Sequence, residues 1–258
     1  MRIAHLSDPH VTTGPLAAGP AQGLHQALGR ALSIEPRPDC VVITGDLTDR
    51  GKPEEYAALH AILRRCQAPV LLAAGNHDDP AALTAEFGVT PFLAGGTSTR
   101  YAAELAGVTV VVTDSHVAGS AGGNLGASQL GWLDETLRER PDVPALVCVH
   151  HPPREVGLPF LDGMRLEDGA ALAEVIARHP RVARVLAGHV HRTILASFAG
   201  TTVAVAPSTY RLTALRMHDA EWPGYLAEPP GFLLHLVDES GCVTHAVNVG
   251  QASAAFAL

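Results

Sequence analysis

Residues 40–51 read CVVITGDLTDRG, an apolar, β-branched run that ends at Gly45 and is followed directly by Asp46. Such a run is typical of a strand buried on both faces of a parallel sheet. Four other apolar runs also end in a cluster that contains Asp, Asn or His. They are residues 2–6 before Asp8 and His10, 69–73 before Asn76 and His77, 145–149 before His150, and 182–186 before His189 and His191. Because the carboxyl ends of parallel strands share one edge of a sheet, we expect these polar side chains to converge.

Helical segments separate these strands. Pro53 opens one that extends to about residue 65, with two glutamates near the positive end of the helix dipole. Asp79 precedes Pro80 as the N-cap of the next helix. Further helices are predicted over residues 22–32, 128–138 and 168–178, the last of them with Asp168 as its cap. Strands that alternate with helices in this way indicate an α/β fold.

The last third of the chain changes character. Residues 201–205, 232–237 and 242–247 are predicted antiparallel strands, and residues 108–113 form a further strand earlier in the chain. Residues 207–231 are too long for a plain connection, and they carry Tyr210, Arg211, Trp222 and Tyr225. We predict that this segment is a lid over a site or a dimer contact. Since the chain has no repeat or linker, we predict a single domain over residues 1–258.

The composition excludes several classes of protein. Apolar residues make up 47% of the chain and charged residues 17%, which indicates a globular rather than a disordered protein. The net charge is −8, Lys52 is the only lysine and the arginines are scattered, so nucleic acid is not an expected partner. Four dispersed cysteines exclude a disulfide framework or a zinc ribbon. The chain opens as MRIAHLSD, without an export signal, and no apolar run could span a bilayer, so we expect a cytoplasmic protein with no membrane contact.

The polar clusters resemble, in order and spacing, the five motifs of the calcineurin-like metallophosphoesterases. They are Asp8-Pro9-His10, Gly45-Asp46, Gly75-Asn76-His77-Asp78, His150-His151 and Gly188-His189-Val190-His191. The residues around them most resemble the bacterial class III cyclic-nucleotide phosphodiesterases and the related glycerophosphodiesterases. The resemblance implies a four-layer αββα sandwich of two mixed sheets flanked by helices. One departure is Pro9, where a small residue such as Thr is usual; proline removes a backbone donor there but no ligand.

The resemblance also implies a dinuclear metal centre. Its first ion would be held by Asp8, His10 and His191, its second by Asn76, His150 and His189, and Asp46 would bridge the two. A hydroxide between the two ions would be the nucleophile. These ligand types suit two divalent ions or a mixed-valence pair of iron, manganese, zinc or cobalt.

His77 follows a ligand without being one itself. We expect His77 and Asn76 to contact the substrate phosphate, and His77 to donate a proton to the leaving alkoxide. Asp78 is expected either to orient that imidazole or a nearby backbone, or simply to enter the next helix. His116 and His218 are weaker candidates for substrate contact, and His151 is expected to form structural hydrogen bonds.

The predicted activity is hydrolysis of small phosphodiesters, with 3′,5′-cyclic nucleotides ahead of glycerophosphodiesters. A non-catalytic scaffold of the same fold is disfavoured because all seven ligand positions are filled. A protein serine/threonine phosphatase fits less well, since Val11 and Asp78 stand where that family has Gly and Glu. The short, acidic chain argues against a DNA nuclease. The resemblance further implies a homodimer or a larger homo-oligomer.

Overall fold

A computed structural model of the protein describes residues 1–218 and 221–250. Residues 219–220 of the predicted lid segment and residues 251–258 of the predicted domain lie outside these ranges. The strands are β1 (Arg2–Leu6), β2 (Cys40–Thr44), β3 (Val70–Ala73), β4 (Tyr101–Leu105), β5 (Val108–Val112), β6 (Ala145–Cys148), β7 (Val182–Ala187), β8 (Ile194–Phe198), β9 (Thr201–Val205), β10 (Leu212–Thr213), β11 (Tyr225–Leu226), β12 (Gly231–Asp238) and β13 (Gly241–Asn248). The helices are α1 (Ala18–Leu32), α2 (Pro53–Leu63), α3 (Pro80–Phe87), α4 (Gly126–Glu139), α5 (Pro159–Asp162) and α6 (Gly169–Ala177).

The strands form two mixed sheets and one short ribbon. In the first sheet the order is β13-β12-β1-β2-β3, with β1, β2 and β3 parallel and the other two antiparallel. In the second sheet the order is β4-β5-β6-β7-β9-β8, with the four central strands parallel and both edges antiparallel. Strands β10 and β11 pair with each other inside the predicted lid segment.

The apolar side chains gather in two clusters. One contains residues of both sheets together with helices α1, α2 and α3, and the other contains the second sheet with α4, α5 and α6. Strand β5 contributes to both, because Val110 and Val112 belong to the first cluster and Val111 to the second. The layers therefore run helix, sheet, sheet, helix, which confirms the predicted α/β sandwich.

Three local predictions were incomplete or wrong. Edge strands β4 and β8 were not predicted. Strand β9 was predicted to be antiparallel, and it is antiparallel to β8 but parallel to β7. Asp168 precedes α6 but makes no capping bond to it. Its carboxylate instead accepts the backbone N–H groups of Leu125 and Gly126, at 3.1 and 2.8 Å, so it stabilises the start of α4. Asp79 does cap α3, accepting the N–H of Ala82 at 2.8 Å.

None of the helices in the described ranges combines the length and the apolar character needed to cross a membrane.

Candidate metal centre

Five strands of the two sheets deliver the seven predicted ligands to one place. Asp8 and His10 follow β1, Asp46 follows β2, Asn76 follows β3, His150 follows β6, and His189 and His191 follow β7. Five of these residues have left-handed backbones, namely Asp8, His10, Asp46, His189 and His191, with φ between 45° and 69°. Non-glycine residues rarely adopt this conformation, and it concentrates at functional sites, where the surrounding structure holds it in place.

Two glycines let these loops approach one another closely. A Cβ atom on Gly45 would lie 2.3 Å from Nδ1 of His150, and one on Gly188 would lie 1.9 Å from Oγ of Ser7. Neither distance is compatible with a side chain, so only glycine allows the loops after β2 and β7 to pack against their neighbours.

The first ligand cluster combines two carboxylates and two imidazoles. The Nε2 atoms of His10 and His191 lie 3.0 Å apart. Nε2 of His191 is 3.4 Å from Oδ1 of Asp8, and Nε2 of His10 is 3.6 Å from Oδ2 of Asp46. Each of the four residues offers a ligand atom within 4.8 Å of the others, and all four are buried.

The second cluster lies on the other side of Asp46. Oδ1 of Asn76 is 3.1 Å from Nε2 of His150 and 2.9 Å from Nδ1 of His189. The remaining oxygen of Asp46, Oδ1, is 3.4 Å from Nε2 of His150. The two oxygens of Asp46 thus face different clusters, which is the arrangement that a bridging carboxylate requires.

The hydrogen bonds of two histidines fix their tautomers. Nδ1 of His150 lies 2.7 Å from the carbonyl oxygen of Thr44, and Nδ1 of His191 lies 3.1 Å from that of Arg211. A carbonyl oxygen only accepts, so each Nδ1 carries a proton, and in the neutral ring, which is the form that binds metal, each Nε2 turns a lone pair toward its cluster. Metal-binding histidines in proteins are oriented in this way.

As a result, acceptors face acceptors in both clusters. The lone pair of His191 is directed at Asp8 and that of His150 at Asn76 and Asp46, at distances of 3.1 to 3.4 Å. Acceptor groups repel one another at such distances unless a cation lies between them. The donor set of carboxylates, imidazoles and one amide oxygen fits first-row transition ions, and the clusters therefore fit two metal ions.

The ionisation states also suit metal binding, which needs charged carboxylates and neutral imidazoles. Although burial opposes ionisation, positive charge beside Asp8 lowers its pKa below the usual range; His191 supplies that charge when protonated, and a bound cation would supply it in place of the proton. Burial is likewise outweighed at Asp46, where His150 and His10 lower the pKa of the carboxyl group. Burial lowers the pKa of the His10 imidazole. Burial and His150 together lower the pKa of His189 to about 3.

His151 lies beside the second cluster, with a ring nitrogen close to those of His150 and His189. Its Nε2 donates to the carbonyl oxygen of Ala121 at 3.2 Å, and its Nδ1 accepts the hydroxyl of Ser115 at 2.8 Å. Burial lowers its pKa well below the usual value, so the ring is neutral. Because both ring nitrogens have protein partners, His151 has no free lone pair for a metal, in agreement with its predicted structural role.

His77 lies at the mouth of the site, with 41% of its side chain exposed. Its Nδ1 donates to the carbonyl oxygen of Asp49 at 2.8 Å, which leaves Nε2 directed at the pocket, 4.0 Å from Oδ2 of Asp46. Partial burial opposes protonation, but the charge of Asp46 and the bond to Asp49 raise the pKa of His77 above its ordinary value. A protonated imidazole here can donate to a phosphoryl oxygen or to a leaving group.

Asp78 acts on the backbone rather than on the His77 ring. Its carboxylate accepts the N–H groups of Leu47, Thr48 and Gly75 at 3.0, 3.2 and 2.9 Å, and the hydroxyl of Tyr56 at 3.0 Å. It thereby ties the loop of Asp46 to the loop of Asn76. Burial and the charge of Asp46 raise the pKa of Asp78 to about 6, although the three amides oppose this.

A pocket of about 160 Å³ opens over the two clusters. Beyond the ligands and His77 its walls are Ala121, Leu161, Met164, Thr213, Trp222 and Tyr225. Tyr225 stacks on His191 with ring centroids 5.7 Å apart, the Arg211 guanidinium lies 4.0 Å from the Tyr225 ring centre, and Trp222 meets Tyr225 edge-on at 5.0 Å. The segment predicted as a lid or dimer contact therefore forms one wall of the pocket.

Sequence reasoning missed several residues of this site. Asp49 lies within residues 40–51, and its Oδ1 is 3.7 Å from Nδ1 of His10, but no role was predicted for it. Ala121, Leu161 and Met164 gave no signal because they belong to loops without a motif. His116 and His218 are not among the residues that line the pocket.

Comparisons with known proteins agree with this geometry. The family model described as calcineurin-like phosphoesterase matches residues 1–193. A glycerophosphodiester phosphodiesterase (GpdQ) of Enterobacter lignolyticus is 31% identical over 250 residues, covering 91% of this chain and 86% of that protein. A cAMP/cGMP dual specificity phosphodiesterase of Mycobacterium tuberculosis is 34% identical over 219 residues, covering 80% and 67%. Among solved structures, a dimetal phosphatase from Danio rerio superposes with a TM-score of 0.68 at 15% identity, covering 96% of this chain and 99% of that one.

Proposed function

Because the chain belongs to the calcineurin-like phosphoesterase family, we propose that its seven converging side chains hold two metal ions for the hydrolysis of small phosphodiesters. The protein is a metal-dependent phosphodiester hydrolase. The observation that carries the site assignment is the set of acceptor atoms that face one another across each cluster. The ligands proposed for the first ion are Asp8, His10 and His191, those for the second are Asn76, His150 and His189, and Asp46 serves both. When bound, such ions supply Lewis acidity toward phosphoryl oxygens and lower the pKa of a coordinated water.

The charges of the ligands suit an anionic substrate. Asp8 and Asp46 contribute two negative charges, whereas the amide of Asn76 is neutral and the four imidazoles would bind metal in their neutral form. Two divalent ions would therefore leave the pocket with excess positive charge, which attracts a phosphodiester monoanion. A carboxylate in place of Asn76 would reduce that attraction.

His77 supplies the proton chemistry at the pocket mouth. Its Nδ1–H bond to the Asp49 carbonyl fixes the ring and directs Nε2 at the pocket. We assign Nε2–H two tasks, hydrogen bonding to the substrate phosphate and proton donation to the departing alkoxide. Alkoxides are poor leaving groups, so this donation matters most for substrates with ordinary alcohols.

The favoured substrates are 3′,5′-cyclic nucleotides, and glycerophosphodiesters are the second candidate. Trp222 and Tyr225 present partly exposed aromatic rings, 44% and 41% accessible, on the wall of the pocket. Aromatic rings of this kind are suited to contact with a nucleobase. The similarity to a glycerophosphodiester phosphodiesterase over 91% of the chain supports the second candidate.

Turnover assays with purified protein test the proposal. Protein freed of metal by chelation is supplied with Mn²⁺, Fe²⁺, Co²⁺ or Zn²⁺ and offered cyclic AMP or glycerophosphocholine. We expect hydrolysis of at least one substrate that depends on added metal and is lost in Asp46→Asn. Failure to hydrolyse either substrate with any of the four metals would contradict both substrate assignments.

The homodimer or larger assembly and the cytoplasmic location expected from the sequence are part of the same proposal. Light scattering on metal-loaded protein tests the first, and a monomer at micromolar concentration would contradict it.

A further inference from the structure

We propose that a groove beside the metal centre binds the hydroxylated alcohol arm of the substrate, a ribose or a glycerol. The groove lies between residues 117–124, the loop before α4, and residues 163–167, the loop before α6. We refer to it as the arm groove. The inference rests on the proposed phosphodiesterase function and adds the part of the site that distinguishes one alcohol from another.

The metal pocket alone is too small for a whole diester. Its volume is about 160 Å³, whereas pockets that bury small organic ligands usually hold about 300–1,000 Å³. The arm groove adds about 730 Å³. A phosphate seated at the ligand clusters therefore needs space for its alcohol groups outside the pocket, and the groove supplies it.

The arm groove lies next to the metal pocket. Ala121 and Met164 line both spaces, so the two cavities adjoin at these residues. On the side of the metal pocket, the carbonyl oxygen of Ala121 accepts a hydrogen bond from His151, which is the neighbour of the proposed ligand His150. A substrate arm that leaves the phosphate past Ala121 and Met164 enters the groove at once.

The polar groups of the groove match hydroxyls better than a second anion. Ser120 and Asn124 place a hydroxyl and an amide on one wall, and Arg165 and Glu167 place opposite charges on the other. Nδ2 of Asn124 donates to Oε2 of Glu167 at 3.2 Å and Oγ of Ser120 accepts the N–H of Gly122 at 3.0 Å, so a substrate hydroxyl would use the hydrogen-bonding capacity that remains on these groups. Arg165 is already engaged with the carbonyl oxygen of Asp162 at 2.6 Å and with the carboxylate of Glu155 at 3.7 Å. Sugar and glycerol hydroxyls both donate and accept, so a wall of mixed donors and acceptors without excess charge suits them.

The two walls are held in fixed positions relative to the metal centre. A Cβ on Gly123 would lie 2.2 Å from Nδ1 of His151, so the loop packs directly on that ring. Gly123 is also bonded to the opposite wall, since its N–H donates to the carbonyl oxygen of Arg165 at 3.3 Å and its own carbonyl accepts the N–H of Glu167 at 2.8 Å. Leu166 in turn donates to the carbonyl oxygen of Pro152 at 3.0 Å. A groove fixed in this way is pre-organised for binding.

Filling the arm groove tests the proposal. A Cβ on Gly122 would meet its nearest neighbours at 3.6 and 3.7 Å, which is ordinary contact, so Gly122→Phe places a ring in the groove without forcing the backbone. The matched control is Gly131→Phe, on an exposed face of α4 where a Cβ would meet nothing within 4 Å. Both variants and the wild-type protein, loaded with Mn²⁺, are assayed with cyclic AMP, glycerophosphocholine and methyl 4-nitrophenyl phosphate, neither of whose ester groups carries a hydroxyl for the groove to bind.

We expect Gly122→Phe to lower kcat/KM at least about tenfold for the hydroxylated substrate that the wild-type enzyme uses, and less than about twofold for the methyl ester. Loss on cyclic AMP alone would assign the groove to ribose, and loss on glycerophosphocholine alone would assign it to glycerol. Glu167→Ala, at an exposed position, should raise KM for the same substrate about threefold or more with little change in kcat. If Gly122→Phe does not fold or does not bind metal, the change in KM of Glu167→Ala tests the assignment of the groove, and an unchanged KM would contradict it.

Three results would overturn the assignment of the groove. They are equal changes in Gly122→Phe for all three substrates, no change for the hydroxylated ones, or wild-type turnover of the methyl ester alone. A wild-type protein that hydrolyses none of the three would instead overturn the proposed function itself.

Discussion

Tyr101→Phe should destabilise the protein by a predictable amount, because one hydroxyl group joins the two sheets. Strand β3 is an edge of the first sheet, so the outward backbone groups of Leu72 have no neighbouring strand. The hydroxyl of Tyr101, on β4 of the second sheet, accepts the N–H of Leu72 at 2.9 Å and lies 2.8 Å from its carbonyl oxygen. Tyr101 is 8% exposed and Leu72 is fully buried, so water cannot easily replace the lost oxygen.

The expected loss follows from these contacts. A buried N–H left without an acceptor costs about 1–3 kcal/mol, and the donated bond contributes about 0.5–1.5 kcal/mol more. Tyr101→Phe should therefore lower the free energy of unfolding by about 2–4 kcal/mol, which corresponds to roughly 5–15 °C in Tm for a protein of this size. The phenylalanine ring fills the same space, so no cavity contributes to the loss.

Urea unfolding monitored by circular dichroism measures the effect, with hydrogen exchange at the Leu72 amide as a local readout. Tyr210→Phe, at a half-buried position, serves as the control and should change stability by less than about 0.5 kcal/mol. If Tyr101→Phe costs no more than Tyr210→Phe, or leaves exchange at Leu72 unaltered, the described link between the sheets is wrong.

Three other predictions concern the metal centre and the core. Asn76→Ala removes the only amide ligand and should weaken the second ion at least tenfold or so while sparing the first, as metal titration would reveal; equal affinity for both ions in variant and wild type argues against the assignment. His77→Ala should keep both ions yet slow alkyl diesters about 10²–10⁴-fold and aryl diesters much less, and equal slowing of the two would exclude proton donation. Burial lowers the pKa of His5 to about 3 and that of His235 well below its usual value, so only the unfolded chain takes up these protons below about pH 6.5. The free energy of unfolding should therefore fall by up to about 1.4 kcal/mol per pH unit for each histidine as the pH drops below this value. In His235→Gln, urea unfolding at several pH values should show a weaker dependence of this free energy on pH. The same pH dependence in variant and wild type would contradict the buried, neutral state of His235.

The sequence predicted that the seven candidate ligands converge because each follows closely on a strand. An apolar, β-branched run identifies a central parallel strand, and the residues just after it must lie at the carboxyl edge of the sheet. Asp8, Asp46, Asn76, His150 and His189 all meet this condition. Local sequence thus determines where each ligand lies along its own strand, and the shared edge brings them together.

Other features depend on contacts between distant residues and were therefore not predicted. Edge strands β4 and β8 show a weaker pattern, since one face of each is partly exposed. Asp168 has the sequence context of an N-cap for α6, but the loop of Leu125 packs close enough for its backbone N–H to donate to the Asp168 carboxylate instead. The loop that lines the arm groove approaches the metal centre where Gly123 packs on His151, a contact between residues 28 positions apart that no local motif encodes.

Anomalous diffraction from crystals soaked in Mn²⁺ tests the dinuclear centre most directly. We predict two manganese peaks, one among Asp8, His10 and His191 and one among Asn76, His150 and His189, with the Asp46 carboxylate between them. An empty site after soaking, or peaks bound by other residues, would contradict the proposed chemistry of this protein.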